Sequence, residues 1–374
     1  MGKKFFLMKS QTVISSFELD LLRGLISKTV AKRNGMQYPN PSVGAMIIKD
    51  NKVISEGYHL VHGEAHAEVN ALSLAGDHAS GSTLLVTLEP CTHTGKTPPC
   101  VDAIIRANVS RVIWALDDPN PTTSDRAIGR LQAHNIDVVA HCIPDEARRC
   151  CPEFYSFYAH KRPYIYVKAA ISLDGMIAPD AHGLTYISSS QSLMLVHQLR
   201  TYVQAICVGA RTIGIDQPQL SVRMGIAVND QPRIVILDPH NCVDMAWVER
   251  ALNQGRRIVL FRSIGVEFSH DLLIVDVGLT EDKRANWTHV FSVLYGLNVH
   301  GVLIEGGGGI FSSILASGCY DELWVTKVPQ VFGQQGTPFF SDASTLPLNL
   351  SLSSVDSYGK DVVMMYQNQD AFSV

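Results

Sequence analysis

The sequence predicts an α/β protein of two domains, and three observations carry that reading. Its 374 residues exceed one average domain of roughly 150. Short apolar runs rich in Val and Ile alternate with segments of helical period, the pattern of strands and helices built round a sheet. After Lys161-Arg162-Pro163 the alternation restarts with the strand-like run Tyr164–Ala170. The expected domains are therefore 1–160 and 161–374, with no flexible linker between them.

The elements follow in order. Residues 1–15 read as an extension without a clear pattern. A helix is expected from Ser15 or Ser16, because Ser15-Ser16-Phe17-Glu18 has capping-box form. Leu19, Leu22, Ile26 and Val30 then recur at helical spacing. Gly35 and Pro39-Asn40-Pro41 end it. Strands are expected at 43–48, 52–55, 83–88, 111–116 and 136–140, with helices at 65–75, 100–107 and 124–134. Pro144–His160 reads as one helix. In the second half, helices are expected at 190–200, 244–253, 285–297 and 310–317. Strands are expected at 204–209, 233–237, 257–261, 302–305, 321–328 and 361–366.

Composition narrows the function. Charged residues make up 18% of the chain, and Lys+Arg 31 against Asp+Glu 35 gives a net charge of −4. That balance excludes a disordered chain, a coiled coil and an acidic tail, and gives no large electrostatic footprint for nucleic acid or a membrane surface. No apolar run approaches the roughly 18–20 residues of a spanning helix. Phe5-Phe6-Leu7-Met8 ends at Lys9, too short for a signal peptide, so a cytoplasmic protein is expected. Of eight cysteines, six have no partner at ligand-like spacing. Cys142, Cys150, Cys151, Cys207, Cys242 and Cys319 are expected to be buried, reduced packing residues.

The other two belong to a metal pattern. His66-Ala67-Glu68 opens a helix, and Glu89-Pro90-Cys91 and Thr97-Pro98-Pro99-Cys100 follow. One imidazole and two thiolates form a soft three-ligand set suited to zinc, leaving a fourth position for water. Zinc brings the pKa of such a water toward neutrality, generating hydroxide. Glu68 is placed to take the proton and deliver it to a ring nitrogen and a leaving amine. This is the zinc nucleobase-deaminase arrangement, H-x-E…P-C-x-x-C, except that the cysteines are spaced C-x8-C. A helix starting at Cys100 would return the longer loop to the metal. A closed structural site would need a fourth ligand, for which His93 is the one convincing candidate.

Pro39-Asn40-Pro41-Ser42-Val43-Gly44, Glu56-Gly57-Tyr58-His59, His66-Ala67-Glu68 and the run Thr87–Cys100, TLEPCTHTGKTPPC, resemble the bifunctional riboflavin-biosynthesis deaminase/reductase family. The resemblance implies a cytidine-deaminase-like α/β/α sandwich with zinc on His66, Cys91 and Cys100 and Glu68 as proton shuttle. It implies pyrimidine-substrate recognition by Asn40, His59, His93, Lys96 and Asn120, Lys96 offering a point charge to a phosphate. Two departures stand out. Ala65 replaces the usual Pro, and Thr123-Ser124-Asp125-Arg126-Ala127 replaces a glycine-containing loop.

In the second half, Val302-Leu303-Ile304-Glu305-Gly306-Gly307-Gly308-Gly309-Ile310-Phe311 is strand, glycines, then helix. Such a turn cradles phosphate or simply turns the chain tightly. It is not G-x-G-x-x-G, since Phe311 holds the third glycine's place, and no ribose-binding acid follows at the Rossmann distance. Lys168–Gly175, His197–Arg200, Val208–Thr212 and Asp216–Arg223 extend the resemblance. They imply a dihydrofolate-reductase-like domain using NADPH. By that resemblance Ala170, Tyr186, Thr212, Asp216, Gly307, Gly308, Gly309, Ile310, Phe311 and Ser312 line the cofactor. Arg200, Leu220, Arg223 and Glu305 meet the substrate. Leu184, Tyr186 and Ser188 depart from the family pattern, although the aromatic ring at 186 remains able to stack, and Gln204 stands where Asp is common. Asp174 and Ser188 read equally well as a turn residue and a helix cap. Glu305 and Lys168 are the candidate acids.

The implied function is deamination of 2,5-diamino-6-(5-phosphoribosylamino)pyrimidin-4-one to the uracil, then NADPH reduction of ribosyl to ribityl. Small phosphorylated pyrimidines are the expected partners, with a homo-oligomer (dimer or tetramer) as the expected assembly. The rivals are a nucleoside or tRNA base deaminase carrying a non-catalytic nucleotide-binding domain, and a zinc-stabilised regulatory module. Neutral charge disfavours tRNA, and Glu68 beside three ligands disfavours the module.

Overall fold

The computed structural model describes residues 13–123, 126–179, 187–263, 267–269, 271–280, 285–340 and 348–371. The chain divides into two compact units, Met1–His160 and Lys161–Val374.

In the first unit the helices are α1 (Ser16–Ala31), α2 (Ala67–Ala75), α3 (Cys100–Arg106), α4 (Ala127–Ala133), α5 (Pro144–Ala147) and α6 (Pro152–Tyr155). The strands are β1 (Gly44–Lys49), β2 (Lys52–Tyr58), β3 (Thr83–Val86), β4 (Arg111–Trp114) and β5 (Asp137–Val139), ordered β2-β1-β3-β4-β5. α1 starts as its capping box requires. The Ser15 hydroxyl accepts from the Glu18 N–H at 3.2 Å and the Glu18 carboxylate accepts from the Ser15 N–H at 2.8 Å, satisfying two orphan donors.

Strand side chains alternate between two cores. Ala45, Ile47, Leu84, Val86, Val112 and Trp114 pack with Ala67 and Ala71 of α2, Val101 and Ile104 of α3, and Leu131 of α4. Met46, Ile48, Leu85 and Ile113 pack on the opposite face with Leu22, Leu25 and Ile26 of α1. The period of two thus builds an α/β/α sandwich.

The segment 144–160 is not the single helix expected. It breaks into α5, a 3-10 turn at Arg148–Cys150, α6 and a π turn at Ser156–His160. Pro152 lacks an N–H and its ring excludes the preceding helical carbonyl. Cys151 before it is accordingly non-helical, with φ −148° and ψ 55°.

The second unit holds a ten-stranded sheet. Its strands are β6 (Tyr164–Ile171), β8 (Ala205–Gly209), β9 (Arg233–Asp238), β10 (Ile258–Arg262), β11 (Glu267–Phe268), β12 (Leu272–Asp276), β13 (Gly301–Ile304), β14 (Glu322–Lys327), β16 (Leu350–Tyr358) and β17 (Asp361–Asn368). β7 (Met176–Ala178) pairs separately with β15 (Thr337–Pro338). The order is β11-β12-β10-β9-β8-β13-β6-β14-β17-β16, parallel from β12 through β14 and antiparallel at both edges.

Helices α7 (Ser190–Tyr202), α8 (Ala210–Asp216) and α9 (Met245–Asn253) contribute to the core on one face. Helices α10 (Trp287–Gly296) and α11 (Gly308–Ser317) contribute to the core on the other. β7, α8, β11, β12, β15 and β16 went unforeseen in the sequence. β16 is mostly exposed, so it shows no apolar alternation to find. Ser189, one residue after Ser188, caps α7 through its hydroxyl. Gln204 Oε1 accepts from the His300 and Gly301 N–H groups at 3.1 and 2.9 Å, so an amide serves at that position.

Candidate active sites

The first unit carries a cavity of about 180 Å³ whose lining includes Asn40, His59, His62, His66, Glu68, Glu89, Cys91, His93, Lys96, Thr97, Asp118 and Asn120. His66 is the N-cap of α2 and Glu68 lies in its first turn. Cys100 is the first residue of α3, so the Pro98-Pro99 turn returns the C-x8-C loop as its length required. The ligand atoms of His66, Cys91 and Cys100 all lie within 4.8 Å of one another. His66 Nδ1 is 3.2 Å from Cys100 Sγ and 3.6 Å from Cys91 Sγ. The Cys100 N–H donates to Cys91 Sγ at 3.3 Å.

Hydrogen bonding from the Cys100 thiol and from His66 lowers the Cys91 thiol and favours the thiolate, while sharing that proton, with burial, raises Cys100. Two sulfurs and one imidazole nitrogen crowding a single point around a shared proton fit a zinc ion better than they fit each other. Glu68 is buried, and burial together with the Cys91 charge pushes its carboxyl up to about 7. It is therefore poised to take and give a proton near neutrality.

The surrounding residues are ordered. His59 Nδ1 donates to the Ala65 carbonyl at 3.1 Å. Its Nε2 then accepts from the Asn40 amide at 3.1 Å. That fixes a neutral tautomer, and burial lowers its pKa accordingly. Asn120 Oδ1 accepts from the Thr122 N–H and hydroxyl at 3.1 and 2.9 Å, holding the turn. Sequence reasoning missed three wall residues. Thr97 Oγ1 stands 3.4 Å from His66 Nε2, the position of an outer partner that orients a metal-bound imidazole. Asp118, pushed up to about 7 by burial with a contribution from the Glu89 charge, accepts from the Asn120 N–H. Glu89 accepts from the Asp118 N–H. Glu89 and Thr97 stand inside the motif runs and Asp118 beside Asn120, but residue type and spacing gave them no role, because each acts through a neighbour.

In the second unit a cavity of about 550 Å³ lies at the C-terminal ends of β8, β9 and β13, where open α/β sheets bind ligands. Thr212, Asp216, Gly307, Gly308, Gly309 and Ile310 line it. Gly308 cannot carry a side chain without strain, since a Cβ would stand 2.8 Å from the Pro338 carbonyl oxygen. Such a cleft, with a glycine-lined helix N-terminus in its wall, fits a phosphate-bearing dinucleotide. Ala170 and Ser312 are not in its wall, and Phe311 is buried in the apolar core. Tyr186 and Leu184 lie outside the described residues. Of the six cysteines expected to be buried, Cys150, Cys151, Cys207 and Cys319 are, Cys142 is half-buried, and Cys242 is exposed and lines this cavity. Cys242 sits in the loop between β9 and α9, beyond the C-terminal end of the strand, where the cavity opens.

Arg200, Leu220, Arg223 and Glu305 form a separate cluster. Arg200 Nε and Nη2 donate to the two Glu305 oxygens at 2.7 and 2.6 Å, and Nη1 donates to the Ser221 carbonyl at 2.8 Å. Arg223 Nη1 reaches Ser221 Oγ at 3.2 Å, and the Arg223 N–H donates to His197 Nδ1 at 3.1 Å. Leu220 is buried with φ +46°, and its carbonyl accepts from Arg256. Burial lowers the Lys168 ammonium, opposed by Glu305.

The family model of the cytidine and deoxycytidylate deaminase zinc-binding region matches residues 24–116, and that of the RibD C-terminal domain matches 163–364. The riboflavin biosynthesis protein RibD of Aquifex aeolicus is 35% identical over 340 residues, 90% of this chain and 94% of that protein. That of Escherichia coli is 34% identical, covering 79% and 83%. The solved structure of Acinetobacter baumannii RibD superposes with a TM-score of 0.79 at 28% identity, covering 94% of this chain and all of that one. A Thermotoga maritima structure, a diaminohydroxyphosphoribosylaminopyrimidine deaminase/5-amino-6-(5-phosphoribosylamino)uracil reductase, gives 0.77 at 28%. On the zinc-site geometry, the glycine-lined cleft and this likeness over most of its length, the chain belongs to the RibD family of riboflavin biosynthesis proteins.

Proposed function

We propose that this bifunctional enzyme divides two successive steps of riboflavin biosynthesis between residues 1–160 and 161–374. The first converts the phosphoribosylated diaminopyrimidine to the corresponding uracil with release of ammonia. The second reduces the ribosyl side chain to ribityl. The observation that carries the reading is Glu68, buried in the first turn of the helix that His66 opens beside Cys91 and Cys100.

Zinc held by His66, Cys91 and Cys100 supplies the acidity that lets water lose a proton near neutral pH. Glu68 takes that proton as the water oxygen bonds to the amino-bearing carbon. It delivers the proton to the adjacent ring nitrogen, and a second transfer lets the C–N bond break to ammonia. Asn40 and His59 read the ring edge from fixed rotamers, with Asn120 and His93 in the same wall.

In the second half, NADPH supplies the hydride. Thr212, Asp216 and Gly307–Ile310 hold it, with Tyr186 assigned to the same site by resemblance. Arg200 fixes the Glu305 carboxylate, Arg223 and Leu220 shape the substrate end, and Lys168 is placed to give the proton that completes reduction. The partners are small phosphorylated pyrimidines rather than nucleic acid. The assembly is a homo-oligomer and the compartment the cytoplasm. Among the described residues, no helix is long and apolar enough to cross a membrane.

The test measures zinc content, ammonia release and NADPH oxidation for the wild type and Glu68→Gln. Both proteins should hold zinc and oxidise NADPH when given the uracil intermediate, and only the wild type should release ammonia. Unchanged ammonia release in the variant overturns the shuttle. Absent NADPH oxidation overturns the reductase assignment alone.

A further inference from the structure

The deaminase cavity contains a histidine that the mechanism above leaves unused. His62 lies in the turn 61–64, which is held by the His62 N–H donating to the Met36 carbonyl at 3.0 Å and the Glu64 N–H to the Val61 carbonyl at 3.2 Å. Its side chain lines the cavity, yet its Nδ1 is buried and has no hydrogen-bond partner among the described residues. The turn fixes the backbone while the ring can rotate about its Cβ–Cγ bond, and that rotation offers the unsatisfied nitrogen to a ligand in the cavity.

Lys96 runs beside it. Gly63 has φ +87°, and a Cβ there would stand 3.4 Å from Lys96 Cδ and 3.9 Å from Lys96 Nζ. The lysine stem is thus laid across the turn, and burial with the Lys96 charge lowers the His62 pKa. Lys96 forms no ion pair among the described residues. The acids of the lining, Glu68, Glu89 and Asp118, are all buried, whereas Lys96 is exposed at the rim. Charge is therefore sorted along the cavity, with carboxyls deep and a lysine–histidine pair at the rim. A neutral ring at the floor and a phosphate at the rim match that polarity.

We propose that His62 joins Lys96 in a clamp on the substrate's phosphate and sets the preference for the phosphorylated substrate over its dephosphorylated counterpart. This rests on the deaminase reading above. One anionic oxygen takes the Lys96 ammonium and another takes the imidazole N–H, and satisfying that nitrogen on binding makes the contact selective rather than merely attractive.

The experiment follows ammonia release by the zinc-loaded full chain with the phosphorylated diaminopyrimidine and with its dephosphorylated form. It compares the wild type, His62→Ala and His62→Asn, with zinc content measured for each. His62→Ala should raise KM for the phosphorylated substrate about tenfold while leaving kcat within about twofold, and should leave kinetics with the dephosphorylated form unchanged. His62→Asn, which keeps a donor at the δ position, should recover most of the loss. Ribose 5-phosphate, as a competitive inhibitor of ammonia release, should weaken by the same factor in His62→Ala. Equal losses on both substrates, a fall confined to kcat, or no change in KM would each overturn the clamp while the deaminase reading stands. Absence of ammonia release by the wild type would overturn both.

Discussion

Replacing Arg200 with Met tests whether the Arg200–Glu305 pair is an integral part of the second unit's framework. The guanidinium makes three hydrogen bonds, two to the Glu305 carboxylate and one to the Ser221 carbonyl. The paired side chains are only 10% and 15% exposed, so solvent can neither screen the pair well nor rehydrate what is left. Burial pushes the Glu305 carboxyl up, but Arg200 and then Lys168 outweigh it and hold it below the usual range. Removing Arg200 leaves a carboxylate and a backbone carbonyl without their strongest partner. Truncating one side of such a pair costs about 3–5 kcal/mol, and the nearby Lys168 should keep the loss at the lower end. A double variant, Arg200→Met with Glu305→Gln, removes the stranded charge and should regain about 1–2 kcal/mol. Urea unfolding of the full chain followed by far-ultraviolet circular dichroism reads the second unit, while ammonia release reports that the first remains intact. A loss under about 1 kcal/mol, as for an exposed pair, would refute the reasoning. So would a double variant less stable than Arg200→Met alone.

Two further outcomes follow from the second unit's structure. Gly308→Ala puts a Cβ 2.8 Å from the Pro338 carbonyl oxygen, and backbone must move to relieve it. KM for NADPH should rise about tenfold with ammonia release unchanged; an unaltered KM would show that the 308–338 contact does not shape the cleft. Stability of the second unit should also fall in acid. Burial holds His300 at about 4, and burial with Arg200 and Arg223 holds His197 at about 4, against 6.5 for a free imidazole. The unfolded chain therefore takes up protons that the folded chain refuses between those values. Unfolding free energy should be level above pH 6.5 and decline by a few kcal/mol as the pH falls toward 4. Urea midpoints across that range check it, and His300→Gln should flatten the decline.

The first site was more legible in the sequence than the second. The deaminase ligands sit within 35 residues of one another on a helix start, a loop and a second helix start. Each carries a residue type that few other roles demand, so type and spacing together point to zinc. In the reductase half the same reasoning found the glycine turn and the strands with apolar alternation. It could not separate the cavity wall from the core behind it, as Phe311 illustrates. A helix that opens a ligand site also buries its next turn, and both stretches read as apolar.

Local chemistry in the chain therefore determined the two-part α/β plan, the capped first helix, the zinc set with its glutamate and the glycine turn. Pro152 is equally local, and its break of the 144–160 segment was there to be read in the sequence; the tertiary structure decided the rest. It alone joined Arg200 to Glu305 across 105 residues, exposed Cys242 in the loop after β9 and brought His62 near Lys96. Hydrophobic period and motif spacing act over a few residues of chain. Ion pairs, burial and unsatisfied nitrogens depend on which distant elements pack together, and that is fixed only when the sheets close.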